Sequence, residues 1–365
     1  RLKPMSPLRI ALIGAGNIGH RHLKVLLADP DYQVVGIADP APNTADYCRE
    51  QEIPYFADPE AMLDEVRPDG AIVAVPNQLH VITGLACLSR KVPVLIEKPL
   101  ADSLDGALDI LDAVESSGVP VLVGHHRRHN PIMRRAAEIL REDGVGKIIA
   151  VAGMWLAHKP DDYFDIPWRR QPGAGPILTN AIHDIDNLRM LCGEIETIQA
   201  STSNTVRGHP IEDTAAAVIT FANGALGTLI VSDTVTSPWS WEWVSEENPY
   251  YPHEPRDCYL VTGTGGSLAV PSLELCWHEP GGHWGTPLTK RRNPVTPGDA
   301  YIEQMCNFAD VIRGKAEPVV SAFDGARTLA ATLAITLSAR SGQPVQIDDL
   351  MRRDRDPDAA PTEEK

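Results

Sequence analysis

The stretch LRIALIGAGNIGHRHLKVLLA, residues 8–28, joins an apolar run directly to a glycine-rich turn and then to a helical pattern. A continuous apolar run is typical of a strand that helices cover on both faces, as in parallel sheets. The turn reads G-x-G-x-x-G and comprises Gly14, Ala15, Gly16, Asn17, Ile18 and Gly19. Glycines between a strand and a helix let the backbone approach a pyrophosphate at the helix N-terminus. The stretch therefore predicts a dinucleotide-binding unit.

Four further apolar runs alternate with helical patterns up to about residue 124: QVVGIAD, DGAIVAVP, VPVLIEKP and VPVLVGHH. Strands that alternate with helices indicate a doubly wound parallel sheet, the Rossmann type of α/β fold. We expect this domain to span residues 1–126. The last of these strands leads into His126 and Arg127.

Beyond about Lys147 the strand patterns become longer and alternate between apolar and polar residues, as in AAAVITF and ALGTLIVSD. Turn dipeptides at Asn223-Gly224 and Gly265-Gly266 indicate antiparallel pairing. We therefore expect a second, α+β domain over residues 127–345 with a large, mainly antiparallel open sheet. Helices are predicted from LTNAIHDIDNLRMLCGE, AYIEQMCNFADVIRG and GARTLAATLAITLSARSG, the last two able to pack back on the first domain. Residues 351–365 are predicted to be a disordered tail.

Composition excludes several classes of function. The chain of 365 residues has 33 Lys and Arg against 49 Asp and Glu, and the net charge of -16 argues against nucleic acid or an anionic membrane as a partner. Six cysteines show no metal-type spacing, which predicts reduced thiols and no metal site. There is no signal-like segment and no run of about 18 apolar residues, so we expect a soluble cytoplasmic protein.

A second cofactor signal lies at the end of the second strand. Asp39 comes twenty positions after Gly19, where a carboxylate can accept hydrogen bonds from the adenine ribose and repel a 2′-phosphate. No arginine follows it in DPAPNTADY, so the sequence predicts NAD rather than NADP. The structural alternative is that Asp39 caps the next helix.

A third signal, VAVPNQLHV, follows the fourth strand. Pro76 and Asn77 would lie at the carboxyl edge of the sheet beside the nicotinamide ribose, because ligands of open α/β sheets bind at that edge. Asn77 could also cap the following helix, and the two roles are compatible. His80 is either a cofactor contact or a packing residue.

The triplet Glu97-Lys98-Pro99 ends the next strand at the same edge. A lysine there can place its ammonium against a developing alkoxide and relay a proton. Glu97 would hold the ammonium, and Pro99 would fix the turn. A solvent-exposed ion pair is the structural alternative.

The fingerprint, Asp39, VPN and EKP together resemble the Gfo/Idh/MocA family of nicotinamide-dependent sugar and polyol oxidoreductases. The resemblance extends over about residues 8–347 and includes GHHRRHNP, WRRQPGAGP and NAIHDIDNLRMLCGE. It implies that Lys98 and His183 flank the reacting carbinol, with His183 as general base. It also implies that His126 and Arg127 reach the cleft and that the protein is a homodimer or homotetramer.

One position departs from the family pattern. Many members carry Asp one helical turn before the histidine, where this chain has Thr179. A threonine cannot support an imidazolium as a carboxylate would, and Asn180 beside it is expected to bind substrate hydroxyls.

Sugar sites combine aromatic faces with planar polar side chains, and the second domain supplies both. The candidates for substrate contacts are Lys98, His126, Arg127, Trp155, Lys159, Trp168, Arg169, Thr179, Asn180 and His183. The basic residues among them, with Arg170, hint at an anionic substituent, although solvated surface charges look the same in sequence. Trp239, Trp241 and Trp243 alternate as in a strand and could form one apolar face.

Three functions remain open. The first is an NAD-dependent dehydrogenase that oxidises a secondary hydroxyl of a sugar, polyol or sugar derivative. The second is a glycoside hydrolase or lyase that uses bound NAD transiently, through oxidation, elimination and return of the hydride. The third is a non-catalytic sensor of NAD and sugar, which the presence of Lys98 and His183 disfavours.

Overall fold

The computed structural model describes residues 6–142 and 144–352. Its first sheet contains β1 (Leu8–Ile13), β2 (Tyr32–Ala38), β3 (Tyr55–Phe56), β4 (Gly70–Val73), β5 (Val94–Ile96) and β6 (Val121–Val123). All pairs are parallel, in the order β3-β2-β1-β4-β5-β6. This confirms the doubly wound fold and places the reversal of strand order between β1 and β4, where such sheets bind dinucleotides.

Helices cover both faces of this sheet and lead into the second domain: α1 (Asn17–Ala28), α2 (Pro42–Glu50), α3 (Pro59–Val66), α4 (His80–Ser89), α5 (Leu104–Ser117) and α6 (Pro131–Arg141). Local chemistry sets their ends. The Ser103 side chain accepts a hydrogen bond from the Gly106 N–H at the start of α5, and Gly118 ends it in the left-handed conformation at φ 68°.

The second sheet contains β7 (Ile148–Leu156), β8 (Ile195–Ser203), β9 (Thr214–Phe221), β10 (Leu226–Ser232), β11 (Tyr259–Gly263), β12 (Ser267–Val270), β13 (Glu274–Trp277), β14 (Thr289–Arg292) and β15 (Val345–Gln346). Its order is β14-β13-β12-β11-β7-β10-β9-β8-β15. Among the described strands of this second sheet, only β7 and β10 pair in parallel, so the expected mainly antiparallel sheet is confirmed.

The remaining helices are α7 (Ile182–Cys192), α8 (Trp241–Val244), α9 (Ala300–Ile312), α10 (Ala322–Ser341) and α11 (Ile347–Leu350). The predicted apolar stripe of α7 is buried, and Gly193 follows its last residue at φ 98°. A π-helical turn, Ile177–Ala181, precedes α7. Such turns occur frequently at functional sites.

The expected strand through Trp239, Trp241 and Trp243 is wrong. The N–H groups of Trp243 and Val244 both donate to the Ser240 carbonyl, which closes the chain into α8. Trp241 is fully buried and stacks on Tyr259, with 6.2 Å between ring centroids. Trp241 is therefore a core residue of the second domain. Alternation over five residues does not distinguish a strand from a helical turn.

The C-terminal helices pack against the first sheet. Met305 and Phe308 of α9 share a buried cluster with Ile10 and Leu12 of β1, and Ser321, the N-cap of α10, bridges to Leu122 of β6. The division into residues 1–126 and 127–345 stays a proposal, with α9 and α10 joining the two parts. The predicted tail spans residues 351–365, and its part beyond position 352 lies outside the described residues. Within the described ranges, no helix is both long and apolar enough to cross a bilayer.

Candidate active site

The glycine-rich turn packs tightly on its protein side and is open on the other. A Cβ on Gly14 would lie 2.5 Å from the Ala74 carbonyl oxygen, and one on Gly19 would lie 2.1 Å from the Gly14 carbonyl oxygen. A Cβ on Gly16 would meet nothing within 4 Å. The fold therefore needs the first and third glycines, whereas Gly16 leaves space in the cleft for a ligand.

A cleft of about 980 Å³ opens at this edge of the sheet. It is lined by predicted cofactor residues, namely Gly14, Gly16, Asn17, Ile18, Asp39, Pro76 and Asn77, and also by Trp168. Asp39 is held in place because its Oδ2 accepts the Ala15 N–H at 2.7 Å and its Oδ1 accepts the Ala41 N–H at 2.7 Å. Its carboxylate therefore joins the fingerprint to the start of α2, and the size and lining of the cleft fit a dinucleotide.

His80 is buried at the start of α4. Its Nδ1 lies 2.6 Å from the Pro99 carbonyl oxygen and its Nε2 lies 2.9 Å from that of Val75. Both ring nitrogens are thus occupied by backbone, which leaves none for a cofactor. The geometry supports the packing alternative, in which His80 ties the end of β4 to the EKP turn.

Glu97 and Lys98 point to different partners. Glu97 is 6% exposed, and its Oε1 lies 2.7 Å from Nε2 of His22 on α1. Nζ of Lys98 instead donates to the Thr179 carbonyl oxygen at 3.4 Å. Within the described residues Glu97 forms no ion pair with the ammonium and acts on it through its charge, whereas the lysine reaches across to the second domain.

The charge of this pair follows from its surroundings. Burial alone would raise the pKa of Glu97, but the hydrogen bond and charge of His22 outweigh it and the pKa is lowered. Burial lowers the pKa of Lys98, which Glu97 opposes and Arg127 reinforces. The Lys98 ammonium therefore loses its proton at lower pH than the ammonium of an exposed lysine.

His183 lies at the start of α7 and is 8% exposed. Its ring centroid is 5.4 Å from that of His126 and 6.2 Å from that of His125. Burial, followed by the charge of Lys98, lowers the pKa of His183 well below its usual value. The charge of Lys98 therefore acts on His183, and the imidazole is neutral at neutral pH.

The two aspartates beside His183 in sequence serve other groups. Asp184 accepts a hydrogen bond from the Tyr259 hydroxyl, and burial raises the pKa of Asp184 to about 7. Asp186 binds Arg128 through two contacts of 2.8 Å. Within the described residues, neither carboxylate bonds the His183 ring.

Thr179 contacts two lysines. Its carbonyl accepts from Lys98, and its Oγ1 lies 3.4 Å from Nζ of Lys159. The same Oγ1 is 2.8 Å from Oδ1 of Asn180. Burial, opposed by Asp233 at 3.6 Å, lowers the pKa of Lys159 to about 8. The predicted substrate residues Lys98, Lys159, Thr179 and Asn180 are thus brought together.

Trp168 and Arg169 lie on a 3-10 turn, Pro167–Arg170. Trp168 is 57% exposed and lines the cofactor cleft rather than the lysine cluster. The guanidinium of Arg169 lies 4.1 Å from the ring centroid of Tyr163, and Lys159 lies 5.0 Å from the same centroid. Tyr163 therefore connects Arg169 to the cluster.

Sequence reasoning missed the acidic partners of His126 and Arg127. Nε2 of His126 lies 3.1 Å from Glu247, and Nη2 of Arg127 donates to Glu242 at 2.6 Å. Burial alone would raise the pKa of Glu247, but His126, Arg127 and Asn130 lower it to about 2. The acids stand out among aromatic residues in SWEWVSEEN, yet nothing local indicates partners more than a hundred positions away.

A model of the "Oxidoreductase family, NAD-binding Rossmann fold" of Gfo/Idh/MocA proteins matches residues 8–125. A model of the Gfo/Idh/MocA C-terminal domain matches residues 133–269. The chain belongs to the Gfo/Idh/MocA family. As a member it is an NAD-binding oxidoreductase. Among the described residues, no group of three or more His, Cys, Asp or Glu side chains could hold a metal ion.

Similar proteins extend over nearly the whole chain. The scyllo-inositol 2-dehydrogenase (NAD(+)) of Bacillus subtilis is 26% identical over 361 residues, covering 93% of this chain and 96% of that protein. The 1,5-anhydro-D-fructose reductase of Ensifer adhaerens is 25% identical over 349 residues, covering 93% and 98%. An oxidoreductase from Agrobacterium radiobacter, solved with NAD+, L-tartaric acid and magnesium, superimposes with a TM-score of 0.79 at 21% identity, covering 94% and 99%.

Gly16→Ala separates cofactor binding from folding in this family member. We expect the Kd for NAD to rise about tenfold or more, because the methyl group occupies space that the pyrophosphate needs. The midpoint of thermal unfolding without NAD should not change, since the added Cβ meets nothing within 4 Å. Calorimetric titration and thermal melts measure both. Unchanged NAD affinity would contradict the position assigned to Gly16.

Proposed function

We propose that the protein transfers a hydride between a secondary hydroxyl of a sugar, polyol or sugar derivative and NAD, which supplies the hydride acceptor when bound. The proposal rests chiefly on Lys98. It follows β5 at the carboxyl edge of the sheet, and its ammonium contacts the π-helical turn before α7. This position supports Lys98 as the group that moves the hydroxyl proton.

Lys98 and His183 divide the proton chemistry in this proposal. The depressed pKa of Lys98, caused first by burial, favours an amine that accepts the hydroxyl proton during oxidation and returns it during reduction. The resemblance implied His183 as general base, but burial lowers the pKa of His183 well below its usual value, so this proposal gives the base role to Lys98. His183 then orients the hydroxyl as a neutral hydrogen-bond partner. Asn180 and Lys159 would bind neighbouring hydroxyls.

The experiment is a panel of sugars, polyols, glycosides and acidic sugars, each with NAD and then NADP, followed at 340 nm together with aglycone release. We expect NADH formation with at least one sugar or polyol and a preference for NAD, because Asp39 would repel a 2′-phosphate. Aglycone release without net NADH would replace the proposal with the redox-assisted hydrolase. Tight NAD binding without either signal would favour the sensor.

An anionic group on the substrate would bind at Lys159 and Arg169 rather than at Arg127. Glu242 already neutralises Arg127 at 2.6 Å. Arg169 has no carboxylate partner among the described residues, and it shares the Tyr163 ring with Lys159. Acidic sugars in the panel test this arrangement.

We infer that the outer face of the second sheet packs against a second copy. Val218, Leu226, Ile230 and Leu260 are each 41–56% exposed on neighbouring strands, and the pairing of β9, β10, β7 and β11 puts them on one face. Val218→Glu with Leu226→Glu should convert a dimer or tetramer to monomer in sedimentation experiments, because two charges cannot be buried unpaired. A monomeric wild-type protein would contradict the inference.

A further inference from the structure

Glu242, in α8, connects three elements of the site. Its Oε1 accepts from Nη2 of Arg127 at 2.6 Å, and its Oε2 accepts from Nε1 of Trp155 at 2.8 Å. The Glu242 side chain is 18% exposed and that of Arg127 is 5% exposed. Both carboxylate oxygens are thus fixed by donors, one from the turn after β6 and one from β7.

The arginine that Glu242 holds still has unused donors. Nε and Nη1 of Arg127 are buried without a hydrogen-bond partner in the described part of the chain, and Nε lies 3.8 Å from Glu247. A buried donor without an acceptor costs about 1–3 kcal/mol. Because Nη2 is fixed by Glu242, the other donors are held in a defined place where substrate oxygens could bind.

The charge of Glu242 also acts on the Lys98 amine. The groups around that amine are Glu97, the Thr179 carbonyl, Arg127, His183 and Glu242. The Glu97 carboxylate bonds His22, and position 179 carries no acid. Glu242 and Glu247 are therefore the carboxylates beside the Arg127 guanidinium, and Glu242 is the one of these two that also acts on the Lys98 amine.

We propose that Glu242 is a positioning residue that fixes Arg127 and balances the positive charge around Lys98, in place of the acidic side chain absent at Thr179. The inference deepens the proposed dehydrogenase function and rests on it for its effect on turnover. The effect on the Lys98 amine itself does not depend on turnover.

Glu242→Gln should lower kcat/KM for oxidation about tenfold or more, since it removes a residue that orients functional groups. Its pH profile should also move. Removing a negative charge lowers the pKa of Lys98, so the rise of kcat/KM with pH should occur at lower pH than in wild type. Thr179→Asp should move this rise of kcat/KM to higher pH. In the double variant the rise should return toward its wild-type position on the pH axis.

Glu246→Gln is the matched control, because Glu246 is an exposed residue of the same loop that pairs with His253 at 2.8 Å. It should leave the pH profile and kcat/KM within about twofold of wild type. A lower plateau in Glu242→Gln without a shift along the pH axis would overturn the proposal, since a purely structural role predicts that pattern.

A second measurement requires no turnover. Trace labelling of Lys98 with acetic anhydride, quantified by mass spectrometry across pH, reports the protonation of its amine directly. We expect the labelling midpoint at lower pH in Glu242→Gln and at higher pH in Thr179→Asp. Equal midpoints in wild type and Glu242→Gln would overturn the proposal. If wild type oxidises no sugar, the proposed function fails and labelling still decides the role of Glu242.

Discussion

Lys98→Met is expected to lower kcat/KM for sugar or polyol oxidation about a thousandfold, within the range for losing a general acid–base group. Methionine keeps most of the volume and the apolar stem of the lysine but removes the amine. No other described side chain at the end of β5 can take the hydroxyl proton, because Glu97 bonds His22. Stopped-flow or steady-state kinetics at 340 nm measure the decrease in kcat/KM.

The affinity for NAD and the free energy of unfolding should change little in Lys98→Met, since the lysine contributes one long contact of 3.4 Å to a backbone carbonyl. Lys290→Met, on the exposed edge strand β14, serves as the control and should keep full activity. If Lys98→Met retained more than about a tenth of the wild-type kcat/KM, the proton would have to move through another group.

Asp186→Asn should lower the free energy of unfolding by about 3–5 kcal/mol, the range for removing one partner of a buried ion pair. Asp186 is fully buried and accepts two hydrogen bonds of 2.8 Å from Arg128 and one of 2.8 Å from Thr328 of α10. An asparagine leaves the largely buried Arg128 guanidinium with only the longer contact of 3.5 Å to the partly exposed Asp324. Urea unfolding measures the loss.

The same carboxylate makes stability depend on pH. Burial alone would raise the pKa of Asp186, but Arg128 and His125 outweigh it and hold the pKa well below its usual range. The stability it contributes is present above the unfolded pKa of about 3.9 and is lost as pH falls through the folded pKa. As the pH falls from about 5 to 3, the free energy of unfolding should therefore decrease less in Asp186→Asn than in wild type.

The control for Asp186→Asn is Asp348→Asn. Asp348 also pairs with an arginine, at 2.7 Å, but its side chain is 70% exposed. Exposed pairs stabilise little, so this variant should unfold close to wild type. Equal losses of unfolding free energy in the two variants would show that burial does not determine how much the Asp186–Arg128 pair stabilises the fold.

The cofactor side of the site could be predicted residue by residue because its signals are local. Gly14, Gly16 and Asp39 lie at the ends of two neighbouring strands, and the order of parallel strands brings those ends together. His80 shows the limit of this reasoning. Its position suggested a cofactor contact, but its ring bonds the carbonyls of Val75 and Pro99.

The substrate side was predicted less completely. Lys98, His183 and Arg127 were proposed as site residues, but the partner expected for Lys98 was its sequence neighbour Glu97, and none was expected for Arg127. The structure instead pairs Lys98 with the Thr179 carbonyl and Arg127 with Glu242. Those partners come from different elements, and short-range patterns carry no information about which elements meet.

The sequence by itself determined the α/β fold class, the glycine turn that admits a dinucleotide and the strand end that carries Lys98, because periodicity and backbone sterics are local properties of the chain. Tertiary structure alone decided which charges face one another. Packing of α8 against the turn after β6 brought Glu242 to Arg127, and the π-helical turn before α7 brought the Thr179 carbonyl to Lys98. Electrostatic balance depends on distances across the fold, and those distances exist only after the two domains have packed.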